Sequence, residues 1–226
     1  MSTTIPQAFD AHAEGYDRSL EPLLPIKAVL HALIRSQLAG LPESASVLVA
    51  GAGTGAEARF LAPLFPGWRF TLLDPSAGML AVAQRHAVAE GFADRCTFHV
   101  GPVASLPDGG FDAATSVLVS HFLPDPGERR AYFAEVAKRL VPGAPLFTAD
   151  LCAELDAPQF GALMELWVTL ARLPDDRRGP FRAAFGTAIA AHGPREVEAM
   201  IRDAGFSAPM PVFQAALVRG WTARRE

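Results

Sequence analysis

The chain has 226 residues, enough for one domain with a small elaboration, and half of them are apolar, which supplies a sizeable core. A formal net charge of −4 offers no basic surface for nucleic acid, and two cysteines, Cys96 and Cys152, neither build a disulfide framework nor stand at metal-ligand spacing. The chain opens on no secretory leader pattern and carries no apolar run long enough to span a bilayer, so the expectation is a soluble cytoplasmic protein with no metal, membrane or nucleic-acid partner.

Residues 1–40 precede the first strand candidate and read as an N-terminal helical cap, with Leu30, Leu33, Ile34 and Leu38 at helical spacing over 25–39. A strand follows at 46–50 and runs into Gly51-Ala52-Gly53-Thr54-Gly55-Ala56-Glu57, which reads as tight turn and then helix over 56–65. Glycine there allows positive φ and removes the Cβ that would collide with a ligand approaching the backbone. The next strand, 69–74, ends in Asp74, whose carboxylate can accept hydrogen bonds from both hydroxyls of a ribose or cap the following helix. Glycine turn and strand-tip acid together outline a nucleoside site.

A helix over 76–90 opens with Pro75-Ser76-Ala77-Gly78-Met79-Leu80, and further strands are expected at 96–100, 112–118 and 144–150. The helix at 127–140 closes on Leu140-Val141-Pro142-Gly143, with Pro and Gly just past its end. This alternation over 45–150 predicts a Rossmann-like, doubly wound α/β core whose site lies beyond the C-terminal strand ends. Residues 153–204 read as a helical lid, with helices at 156–172, 181–192 and 194–204 around an exposed polar loop at 173–180. The run 211–222 has strand character within a terminal segment, 205–226. It completes a seven-stranded, mainly parallel sheet with an antiparallel C-terminal strand, all in a single domain over 1–226. Arg224-Arg225 reads as a solvated tail.

At these residues the chain resembles the class I S-adenosylmethionine-dependent methyltransferases over about 45–150 and in the terminal strands. The resemblance implies S-adenosyl-L-methionine as cofactor and assigns roles residue by residue. Gly51, Ala52, Gly53 and Gly55 would wrap its methionine part and Asp74 its ribose. Pro75 and Met79 would pack on one face of adenine, with Gly101, Pro102 and Val103 flanking the other. Val117, on the fourth strand, would run beside the methyl group, and Tyr16 would fold over the cofactor. Two positions depart from the family pattern. Val49 stands where an acid two residues before the first glycine helps hold the cofactor's amino group, and Pro102 where an Asp contacts adenine. Proline cannot donate a backbone N–H in its place.

The implied activity is methylation of a small molecule at oxygen or nitrogen. A sulfonium methyl group is already an electrophile, so the chemistry asks mainly for positioning and exclusion of water. His121, at the fourth strand's end, is the candidate catalytic base, or else a residue that hydrogen-bonds the backbone at that junction or lines the pocket. Asp150 is the weaker candidate. Arg18 could pair with a carboxylate or lie on the surface. Phe160, Met164, Trp167, Leu170, Phe181 and Phe185 could line an acceptor pocket or simply pack between helices. Rival readings are a carboxy-S-adenosylmethionine synthase-like enzyme, loosely suggested by Phe9-Asp10 to Tyr16 and Phe213-Gln214, and a non-catalytic cofactor-binding protein. A nicotinamide oxidoreductase is disfavoured by the alternate-glycine spacing. The sequence leaves homodimerisation open.

Overall fold

A computed structural model describes residues 5–226. Helices α1 (Ile5–His12), α2 (Tyr16–Ser19) and α3 (Leu24–Leu38) lead into β1 (Ser46–Ala50), α4 (Ala56–Leu61), β2 (Arg69–Asp74) and α5 (Ala77–Ala89). The core continues through β3 (Cys96–Val100), β4 (Ala113–Val117), α6 (Pro126–Arg139) and β5 (Pro145–Leu151). Helices α7 (Phe160–Leu170), α8 (Asp175–Ala183) and α9 (Pro194–Asp203) precede β6 (Met210–Ala215) and β7 (Val218–Arg224).

The sheet has seven strands in the order β3-β2-β1-β4-β5-β7-β6. Neighbours from β3 to β5 pair in parallel, and β7 is antiparallel to both β5 and β6. One strand therefore opposes six, as the sequence predicts. The order reverses between β1 and β4, which opens a crevice at their C-terminal ends.

Alternation along β1 explains the two layers. Val47 and Val49 join Leu30, Ile34, Leu61, Leu80 and Phe147 in one core, beneath α3, α4 and α5. Leu48 and Ala50 join Phe133, Val136, Ile201 and Trp221 in the other, beneath α6 and α9. Period-two strands with both faces apolar can be covered only in this way. Each such fully buried large side chain contributes roughly 1.5–3 kcal/mol.

The insertion differs from expectation. The polar stretch read as a loop at 173–180 is mostly helical, because Pro174 stands at the N-cap of α8 and Asp175 and Asp176 fill its first turn. Pro180 sits inside this short exposed helix. The helix expected over 181–192 ends at Ala183. Gly186 then turns the chain at φ +82°, and its N–H donates to the Ile189 carbonyl at 2.7 Å. Helix 56–65 is shortened to Ala56–Leu61, ahead of Pro63 and Pro66. The terminal strand run divides into a hairpin at Ala216-Leu217, where Ala216 takes φ +48°. Among the described residues no helix is long and apolar enough to cross a membrane.

Candidate functional site

The crevice at β1 and β4 holds a cavity of about 380 Å³. Its floor is the turn after β1. The N–H groups of Gly51 and Ala52 both donate to the Leu73 carbonyl at the tip of β2, at 2.8 and 2.9 Å, and pin the turn to the neighbouring strand. Gly51 has φ +73°, and a Cβ there would stand 2.3 Å from Val119 Cγ2, so only glycine fits. Gly53 (φ +51°) is different: a Cβ on it would meet no protein atom within 4 Å. It lines the cavity, so that Cβ would project into cavity space.

Asp74 closes this side. Its Oδ2 accepts the Gly53 N–H at 2.9 Å and its Oδ1 the Ser76 N–H at 2.8 Å. Burial raises its pKa, partly offset by those two N–H groups. Each oxygen keeps acceptor capacity towards the cavity. Ser76 caps α5 by accepting the Met79 N–H at 3.1 Å, which sets Met79 on the cavity wall.

Of the expected cofactor contacts, Tyr16, Gly51, Ala52, Gly53, Asp74, Pro75, Met79, Gly101, Pro102, Val103 and Val117 all line this one cavity. Gly55 does not. It caps α4 at φ +84° and faces Ala83 and Leu72 in the core. Val49 is 2% exposed and part of the core, so β1 brings no charge to the site.

The N-terminal segment forms the cover. Ile5, Pro6, Phe9, Tyr16 and Leu20 face the cavity, and Phe9 meets Phe122 and Tyr16 edge-on at centroid distances of 5.3 and 5.9 Å. Asp10 fastens α1 to the start of α5. Its Oδ1 accepts the Ser76 hydroxyl at 2.5 Å and the Gly78 N–H at 2.8 Å, and these bonds hold its carboxyl below its ordinary pKa. Thr54 Oγ1 donates to Asp17 Oδ1 at 2.6 Å and so ties the glycine turn to α2. The Tyr16 hydroxyl is pushed up to about 12 by burial and by the charges of Glu57, Asp74 and Asp17.

Beyond β4 the backbone is strained. Leu118 takes φ +59°, a conformation costing a non-glycine residue about 1–2 kcal/mol, and places Leu118 and Val119 on the wall. His121 turns away from it. The ring is buried, is absent from the cavity lining, and its Nδ1 meets Asp150 Oδ1 at 3.0 Å. The ring thus binds a buried side-chain carboxylate, and among the described residues it neither bonds the backbone nor lines the cavity as a base facing a ligand would. Asp150 also accepts the N–H groups of Val119 and His121 at 3.1 Å and the Ser120 hydroxyl at 2.6 Å, with Arg129 Nη2 at 3.5 Å. Burial pushes the Asp150 carboxyl up, but the His121 hydrogen bond and the Arg129 charge outweigh it, and the net direction is down. Arg129 also reaches His192 Nδ1 at 3.2 Å, and burial followed by that guanidinium charge lowers the His192 pKa. This network joins the end of β4 to the insertion.

No residue of 153–204 is on the cavity wall. Met164, Trp167 and Phe185 are buried in the core, Phe160 and Phe181 pack against it, and Leu170 is exposed. Interhelical packing, not a pocket, accounts for all of them but Leu170. Arg18 faces a neighbouring groove instead of the cavity. Sequence reasoning missed Lys27, Glu57, Phe122 and Leu123, which do line it. Glu57 stands two residues after the last glycine of the turn, a signal that was available; Lys27 comes from α3, far away in sequence.

Comparison with known proteins places these features in a wider set. The family model described as a methyltransferase domain matches residues 47–143. A curated protein from Synechococcus sp. with no assigned function, syc1184_c, is 38% identical over 139 residues, which are 60% of this chain and 31% of that protein. The chain thus spans about a third of that relative's length. Among solved structures, the geranyl diphosphate C-methyltransferase of Streptomyces coelicolor A3(2), crystallised with S-adenosyl-L-homocysteine, superposes with a TM-score of 0.68 at 16% identity over 93% of this chain and 80% of that one. The mitomycin 7-O-methyltransferase MmcR gives 0.63 at 22% identity, over 88% and 54%. The [4+2]-cyclase SpnF gives 0.65 at 18% identity, over 87% and 79%. Likeness at this identity establishes a shared fold.

Proposed function

From a chain whose residues 47–143 form a methyltransferase domain of the class I fold, we propose an S-adenosylmethionine-dependent methyltransferase acting on a small molecule. The observation that carries this reading is the pairing of Gly53 with Asp74. An open glycine backbone and a partly buried carboxylate, joined by one hydrogen bond, face the same cavity. A nucleoside fits both groups, its sugar hydroxyls on the carboxylate and its bulk over the missing Cβ. Pro75, Met79 and Val103 offer flat apolar surface for a base.

The sulfonium of the cofactor supplies a methyl group that is already electrophilic. The chain's task is to hold that group and an acceptor in line and keep water out. Phe9 and Phe122 close the cavity from above, with Leu118 and Val119 beside the end of β4. The apolar stretch Ile5, Phe9, Phe122 and Leu123 suits an acceptor with an apolar face. His121 acts through position: its bond to Asp150 fixes the turn that carries Phe122. The acidic balance argues for a small molecule over nucleic acid.

Mass spectrometry of nucleosides retained by the purified protein, followed by calorimetric titration with S-adenosylhomocysteine, tests the reading. Retention or binding of either sulfonium or thioether supports it, and a protein that takes up neither sinks it. The cyclase in the same fold makes a non-transferring use of the site the second reading. Tight binding with no methyl transfer to any small acceptor would favour it.

A further inference from the structure

We propose that Glu57 and Lys27 form a clamp for an α-amino acid group, Glu57 receiving the ammonium and Lys27 the carboxylate of the cofactor's methionine end. The proposal rests on the nucleoside-site reading above and adds to it two residues that no motif assigns.

Glu57 is 7% exposed, lines the cavity, and accepts no hydrogen bond among the described residues. A buried carboxylate without donors is costly, so such a group is expected to have a partner. Among the described residues its one neighbour within ion-pair range is His31 Nε2 at 3.8 Å, too far for a hydrogen bond, and that nitrogen is itself buried without a hydrogen-bond partner there. The two do not satisfy each other. A cationic donor entering from the cavity would satisfy Glu57.

Lys27 lines the same cavity and has neither hydrogen bond nor ion pair among the described residues. It stands one turn before His31 on the same face of α3, so Lys27 and His31 together overhang the start of α4. Lys27 and Ala56 border both the cavity and the neighbouring groove, which sets this pair at one end, where the glycine turn passes into α4. Pro75 and Met79 come from the opposite side, beyond β2. A zwitterion at the first end and an apolar ring at the second match a nucleoside-linked amino acid. Val49 is a core residue, so the negative charge absent from β1 is provided from α4 instead. Glu57 also weighs most among the charges acting on the Tyr16 hydroxyl, which places its field inside the cavity.

The test uses three ligands on the full chain by calorimetric titration. S-adenosylhomocysteine carries the whole amino acid group, its decarboxylated analogue keeps the amine alone, and 5′-methylthioadenosine has neither. Glu57→Gln is expected to weaken the first two about tenfold or more and leave the third unchanged. Lys27→Met is expected to weaken S-adenosylhomocysteine alone. Equal losses for all three ligands, or no loss for any, would overturn the clamp while leaving the nucleoside site standing. If the unaltered chain binds none of the three, the functional reading falls and the clamp with it. Unchanged 5′-methylthioadenosine affinity doubles as the check that each variant folds.

Discussion

Two aspartates stand at strand tips on the same edge of one sheet, and their surroundings differ. Asp74, ending β2, accepts two backbone N–H groups, faces a cavity and has its pKa raised by burial. Asp150, in β5, is fully enclosed by donors from Val119, Ser120 and His121 with Arg129 alongside, and its pKa is lowered. Placement at the C-terminal end of a strand therefore does not decide which carboxylate is able to take a ligand. Spare acceptor capacity does. One aspartate keeps acceptor capacity beside a cavity; the other spends its capacity on holding β4, β5 and the insertion together.

Substitution of Asp150 should produce the largest effect. Asp150→Ala leaves Arg129 buried without its carboxylate, and thermal or urea unfolding should record a loss of about 3–5 kcal/mol. A loss below 1 kcal/mol would erase the contrast. Asp74→Ala should do the opposite, with a small change in melting temperature but a fall of about 100-fold in S-adenosylhomocysteine affinity, for two charged hydrogen bonds. Unchanged affinity would remove Asp74 from the ribose site.

His121 sharpens the comparison, because it belongs to the Asp150 side. His121→Ala should cost about 1–2 kcal/mol of stability and leave ligand affinity within a factor of a few. If instead methyl transfer collapsed at unchanged stability, with loss of its pH dependence, the ring would be a base after all.

The smallest effect is in the pH dependence. Asp150 has its folded-state pKa below the ordinary 3.8, so its ionised form stabilises the fold above that value, and the contribution is lost as pH falls through the lowered one. Asp74 is shifted the other way: what it contributes is present below 3.8 and lost as pH rises through its raised folded value. Stability measured against pH should therefore lose part of its acid limb in Asp150→Asn and keep it in Asp74→Asn.

The contrast between the two acids also shows what a sequence reveals. Asp74 was legible because its neighbours in space are its neighbours in the chain: the glycine turn, the short β1–β2 crossover and the Ser76 cap. The parallel core was legible for the same reason, since period-two apolar strands between helices leave few arrangements. His121 and Asp150 lie about thirty positions apart in the numbering, and neither spacing nor residue type tells whether a strand-tip histidine faces a cavity or a carboxylate. Lys27 was hidden likewise, because α3 lies far from the glycine turn in the chain and meets it only in the fold. The stretch 173–180 misled because Gly179 and Pro180 are breakers by composition, whereas Pro174 and two acidic residues start a helix there.

Helix α1 contains no fully buried residue and is fastened in part by the Asp10 carboxylate across Ser76 and Gly78, yet it covers the cavity. Such a cover governs how long a ligand stays and how quickly it enters, more than how tightly it is held. Exchange then waits on release of the helix, a motion of microseconds to milliseconds, and association observed by stopped flow should level off at high ligand concentration. Asp10→Ala should lift that ceiling and shorten residence together, so ligand exchange would be governed from α1 rather than from the strand tips.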